Sequence, residues 1–270
     1  EVLDRELSDV SILSVSFDSL LSEVRKMPSR DRVACIINVS RRNEKEIDGV
    51  KKQERLLMEI LPISYGKKRK EVLLHLVTIC SNLDRFGIPC AELRGLKWIE
   101  LLEKNHSLSQ EEEWQVSEIK ALLLNRSGNQ DEFLPIWYKL LKQYREADRP
   151  EDVGKCLLTM ANHFVMLEDY DNALPLYEEA YQLAVEYEFV DLQKSSGIML
   201  IKHLCGAGYY SRSLEYYNKT NQEITFNPAM QNEVVKSYME LNKPDSARIY
   251  LAKRLLLEGG NKIALNCMMA

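Results

Sequence analysis

The stretch Ala161-Asn162-His163-Phe164-Val165-Met166-Leu167-Glu168-Asp169-Tyr170-Asp171-Asn172-Ala173-Leu174-Pro175-Leu176-Tyr177-Glu178-Glu179-Ala180 decides how this chain folds. Its small or aromatic landmarks stand at Ala161, Phe164, Tyr170, Ala173, Tyr177 and Ala180. Two helices fit it, one on each side of a turn at Glu168 and Asp169. Small residues at 161, 173 and 180 let those helices approach closely, and the aromatics fill the wedge between them.

Shifted by forty residues, the same landmarks return: Trp137, Tyr177 and Tyr217 align, as do Tyr170 and Tyr210, and His163 and His203. Pro135 and Pro175 also align, each a few residues past a turn that carries Asp131 or Asp171. Proline is accepted early in a helix, where backbone N–H groups lack partners. A further shift of 34 puts Ala247 opposite Ser213 and Tyr238 opposite Leu204.

With these landmarks the chain resembles the tetratricopeptide repeat family, whose unit is a helix–turn–helix of about 34 residues. Ala161, Phe164, Tyr170, Ala173, Tyr177 and Ala180 fill the family's places in order. Glu168 stands where the turn glycine is usual, whereas Gly128 and Gly208 keep it. The resemblance implies an all-α fold, a right-handed α-α superhelix of antiparallel helix pairs. It places repeats at 73–106, 114–147, 154–187, 194–227 and 228–261, after an N-terminal helical segment, 1–72, of degenerate repeats or a cap. Forty-residue spacing implies longer helices or loops than the standard unit, as in arrays of bacterial regulators and signal sensors.

Local signals agree with helices. Ser109 and Glu112 form a capping box ahead of a helix near Trp114. Asn227-Pro228 places a cap before a first-turn proline. Ile47, Val50, Leu57, Ile60 and Leu61 recur at near-helical spacing in 44–61, and the alternation of 10–17 leaves a short extended segment open. Lys67-Lys68-Arg69-Lys70 reads as a solvated loop between helices.

Chemistry is sparse. The 36 basic against 41 acidic residues give a net charge of −5, which argues against nucleic acid as the main partner. Apolar runs stop at four or five residues, as in Ala121-Leu122-Leu123-Leu124, too short to span a bilayer. The six cysteines form no C-x-x-C pair and read as buried thiols, not zinc ligands. There is no H-E-x-x-H, G-x-S-x-G, phosphate loop or G-x-G-x-x-G. His163 and His203 share one repeat position, so helix packing accounts for both, and Gly206-Ala207-Gly208 is a turn. No catalytic residue, metal or cofactor is expected.

In such arrays the first helix of each pair lines the concave side. The resemblance then assigns the groove to Gln115, Glu118, Leu122 and Asn125, then Lys155, Leu158, Asn162 and Val165, then Ser195, Ile198, Lys202 and Cys205, then Asn232, Lys236 and Met239. Apolar positions interleaved with amides and lysines suit a protein or peptide partner. Leu158 occupies the place of the first lysine in the family's carboxylate clamp, which disfavours chaperone-tail binding. The implied function is a non-catalytic scaffold, as the sensor or interaction part of a bacterial regulatory protein. Two alternatives stay open: a free-standing assembly scaffold, and a helical domain holding a small molecule or lipid in its aromatic wedges.

Compartment stays open: buried thiols lean to a reducing one, while a chain starting at Glu1 without methionine leans to an extracytoplasmic one with its signal removed. Residues 262–270 read as the start of a further helix, whose exposed stripe expects either more helices after it or a homodimer.

Overall fold

The computed structural model describes residues 17–41, 46–220 and 230–257, and there every regular element is helical. The helices are α1 Phe17–Lys26, α2 Ser29–Ser40, α3 Ile47–Ile60, α4 Gly66–Arg85, α5 Ala91–Asn105, α6 Gln110–Arg126, α7 Gln130–Glu146, α8 Pro150–Met166, α9 Tyr170–Glu186, α10 Val190–Gly206, α11 Tyr210–Thr220, α12 Gln231–Glu240 and α13 Pro244–Leu257. The extended segment read at 10–17 falls, except for Phe17, outside the described residues. So do the cap at Asn227-Pro228 and the helix start at 262–270.

The forty-residue period has a simple origin. From α6 to α10 each helix is 17 residues long and each connector three, so successive helices begin at 110, 130, 150, 170, 190 and 210. Left-handed residues recur at the same interval: Gly128, Asp148, Glu168, Glu188 and Gly208 all have positive φ. At Gly208 the next amide, Tyr209 N–H, donates back to Leu204 O at 2.8 Å, while Gly208 N–H donates to Cys205 O at 3.2 Å. Asp169 N–H to Phe164 O at 2.9 Å and Glu168 N–H to Val165 O at 3.0 Å repeat that pattern. This is the Schellman closure, which satisfies the last carbonyls of a helix. Glu168 therefore keeps the conformation of the glycine it replaces, at a backbone cost of roughly 1–2 kcal/mol.

Starts are equally local. Ser109 caps α6: its side chain accepts from Glu112 N, and Glu112 accepts from Ser109 N at 2.7 Å. The helix begins directly after that cap, four residues before Trp114. Pro150 opens α8, and Asp169 caps α9 by accepting from Asn172 N at 3.2 Å. Pro135 and Pro175 lie a turn deeper than the sequence suggests, at the sixth residue of α7 and α9. Each removes a backbone donor there, and both are exposed, where water can satisfy the released carbonyl. The basic run is no loop either: it forms the first turns of α4. Lys70 pairs with Glu112 at 2.7 Å, Lys68 with Glu71 at 3.2 Å, and Arg69 donates to Leu61 O at 2.9 Å. Those partners offset the adverse placing of cations at a helix N-terminus.

The chain divides into two compact units, 1–140 and 141–270. In the first, consecutive helices from α2 to α6 pack on one another, and α2 meets α4 while α4 meets α6. In the second, α8 to α13 pack consecutively, with α8 against α10 and α10 against α12. Within each unit the even-numbered helices thus form one continuous layer. Small residues allow it: a Cβ added at Gly154 on α8 would stand 2.3 Å from Leu192 Cδ2 on α10. Odd-numbered helices are instead bridged by long charged side chains, Arg25–Glu59 at 2.8 Å and Arg94–Glu54 at 3.0 Å in the first unit. Arg145–Glu179 and Arg212–Glu178 do so in the second.

The core of the second unit gathers Ala161, Ala173, Leu174, Tyr177, Tyr181, Leu200 and Leu204. Ala173 and Ala180 have no exposed surface. Ala180→Trp is therefore expected to destabilise this unit by roughly 1–3 kcal/mol or more through overpacking. An unchanged thermal melt would show that Ala180 is not at a tight helix interface.

Candidate functional site

The even-numbered layer of the second unit carries the residues assigned to the groove. On α8, Lys155 and Asn162 are exposed and Leu158 and Val165 half-buried. On α10, Ser195 and Lys202 are exposed and Ile198 half-buried. On α12, Asn232 and Lys236 are exposed, and Met239 shows 55% of its surface. Spacings of three or four residues put each set on one helix face. In the first unit, α6 presents Gln115 exposed, with Glu118, Leu122 and Asn125 half-buried.

Cys205 is the exception. It is only 2% exposed, and its thiol donates to Glu233 O on α12 at 3.5 Å. The side chain fills the seam between α10 and α12, so it belongs to the interior and not to the lining. A repeat-by-repeat register transfers a position, but the forty-residue shift from Val165 lands here on the contact side.

Polar groups of this face are partly committed. The Tyr177 hydroxyl donates to Asn162 Oδ1, which leaves the amide N–H donors of Asn162 for a ligand. Lys155 pairs with Glu151 at 2.7 Å on its own helix, an exposed pair that contributes little. Lys236 lies 6.0 Å over the Tyr210 ring. Sequence reading missed a set of apolar residues next to this face: Met166 is 71% exposed, and Leu167 and Tyr209 are about half exposed. Helical periodicity assigns such residues to the core by default. Their one sequence signal is position, within two residues of the left-handed residues Glu168 and Gly208.

The two aligned histidines point inward. His203 stacks on Tyr177 with ring centroids 5.5 Å apart and planes 7° from parallel, and lies 6.1 Å from Tyr170. Burial, helped by neighbouring Lys202, pushes its pKa down to about 4. His163 is buried too, and burial lowers its pKa. Tyr177 has no exposed surface, so the wedge between α8 and α9 is filled by the chain itself. No group of three or more His, Cys, Asp or Glu residues arranged for a metal occurs among the described residues. No described helix is long and apolar enough to cross a membrane.

Compared with known families and curated proteins, the chain matches no protein-family model and no curated sequence.

Proposed function

We propose that this chain is a tetratricopeptide-like array, a right-handed superhelix whose even-numbered helices bind a protein partner through a peptide segment. It acts in that reading as the non-catalytic interaction part of a larger regulatory protein. The observation that carries the reading is the continuous layer α8–α10–α12 with its exposed set of apolar, amide and lysine side chains. Leu158, Ile198 and Met239 offer apolar anchorage, and Asn162, Ser195 and Asn232 can satisfy a peptide backbone. The family resemblance supports the same face, because there too the first helix of each pair lines the groove.

The test is selection of random displayed peptides on the immobilised chain, followed by titration against the variant Leu158→Asp/Ile198→Asp. Both positions are half-buried on the layer surface, so the helices should survive and a matching circular-dichroism melt would verify it. Selected peptides are expected to lose roughly tenfold or more in affinity, about 1.4 kcal/mol. Peptides that bind both proteins equally, or a selection that enriches nothing, would defeat the reading.

A further inference from the structure

Even-numbered packing in the first unit has a geometric consequence on its other side. Because α2, α4 and α6 touch, the odd-numbered helices α3 and α5 splay, and a cleft of about 630 Å³ opens between them. That volume lies in the range of ligand sites in proteins. One wall is a single face of α3, with Lys51, Glu54, Arg55, Met58 and Glu59 at helical spacing. The other is α5, through Arg94 and Trp98, with Ile88 closing one end.

The floor is apolar and open. Met58 is 43% exposed, Trp98 is half-buried, and their surfaces meet Ile88 in the same cleft. A tryptophan face beside a thioether takes a flat ring well.

The charges are arranged asymmetrically. Glu54 is fully engaged: Arg94 donates to its two oxygens at 3.0 and 3.4 Å, and the Cys80 thiol donates at 3.8 Å. Burial pushes that thiol's pKa up to about 12, so it stays a donor. Arg94 is itself braced, donating to Pro89 O at 3.3 Å. Glu59 is held by Arg25, which approaches from α1 with two bonds of 2.8 and 3.1 Å. Both carboxylates of the cleft are thus neutralised by arginines, while Lys51 adds positive charge on the exposed face of α3. The cleft combines an aromatic floor with a cationic rim.

We propose that the α3–α5 cleft is a binding site for an aromatic carboxylate, its ring on Trp98 and Met58 and its acid toward Lys51. A free metabolite and the C-terminus of a peptide are the two sources of such an acid, and both present the same chemistry. This site lies in the first unit and does not depend on the peptide groove of α8, α10 and α12.

Calorimetric titration of the full chain with 3-indolepropionate tests it, with 3-indolepropionamide as the uncharged control. The acid is expected to saturate with a Kd between about 10 μM and 1 mM, and the amide to bind at least tenfold more weakly. Lys51→Glu, on an exposed helix position where folding is not at stake, should weaken the acid by about tenfold or more. Trp98→Ala should abolish binding, and Trp98→Phe should retain most of it, which separates a lost ring contact from a lost fold. Tighter binding of acetyl-Gly-Gly-Trp with a free terminus than of the small acid would assign the site to peptide C-termini, and the reverse to free acids. No saturation by either below about 5 mM, equal affinity for acid and amide, or indifference to Lys51→Glu would overturn the assignment.

Discussion

Tyr177→Ala is expected to cost the second unit about 3–5 kcal/mol, the range for removing a buried aromatic ring. Tyr177 has no exposed surface and heads the largest fully buried side chains. It stands where three elements converge: α9 carries it, Asn162 on α8 accepts its hydroxyl, and His203 on α10 stacks on its ring. Removing the ring leaves a void between helices that small residues such as Ala161 and Ala173 already hold at close approach, so little can collapse into it. Tyr177→Phe separates the contributions. It keeps the ring and deletes one hydrogen bond to an exposed amide that water can satisfy, so its cost is expected near 1 kcal/mol. Urea unfolding of the two variants checks this. Equal and small losses would show that the ring does not tie α8, α9 and α10 together.

The sequence carried the architecture of that region because its landmarks are steric. Ala161, Ala173, Ala180 and Tyr177 must be small or aromatic for two 17-residue helices to pack, and all four have no exposed surface. The turns were legible for the same reason where glycine marks them, at Gly128 and Gly208. They were less legible at Asp148, Glu168 and Glu188, which adopt the same left-handed backbone without the residue that signals it. The helix starts came out shifted, since a 34-residue frame laid on a forty-residue unit loses the first turn of α6 and α8. Lys67 to Lys70 misled because its partners, Glu112 and Leu61 O, are supplied by other elements. The groove register placed Lys155, Lys202 and Lys236 on exposed surface but sent Cys205 into the α10–α12 seam. A cleft such as that between α3 and α5 was not legible at all. It arises where α3 and α5 stand apart, bridged by the side chains of Arg94 and Glu54, and no periodicity reports a gap.

Acid should loosen the second unit in a window that carboxylates do not explain. His203 is 8% exposed, stacked on Tyr177 and next to Lys202, and its pKa falls to about 4 from an unfolded value of 6.5. Between those values the unfolded chain binds a proton that the folded one refuses, so stability rises with pH there. The contribution is complete above about pH 6.5 and is lost as pH falls toward 4, amounting to roughly 3 kcal/mol in all. His163 on α8, also lowered by burial, pushes the same way in this unit. A carboxylate of this unit with lowered pKa, Glu215 beside Lys219, loses its contribution only near and below its ordinary value of 4.5. His203→Phe keeps a ring against Tyr177 and removes the proton. Its stability at pH 7.5 is expected within about 1 kcal/mol of wild type, and its loss between pH 7.5 and 5 should be smaller by about 2 kcal/mol. Urea midpoints at the two pH values decide it. A wild-type midpoint that does not move over that interval, or a variant that falls in parallel with it, would mean that the imidazole is solvated and the stack on Tyr177 is not what closes α9 onto α10.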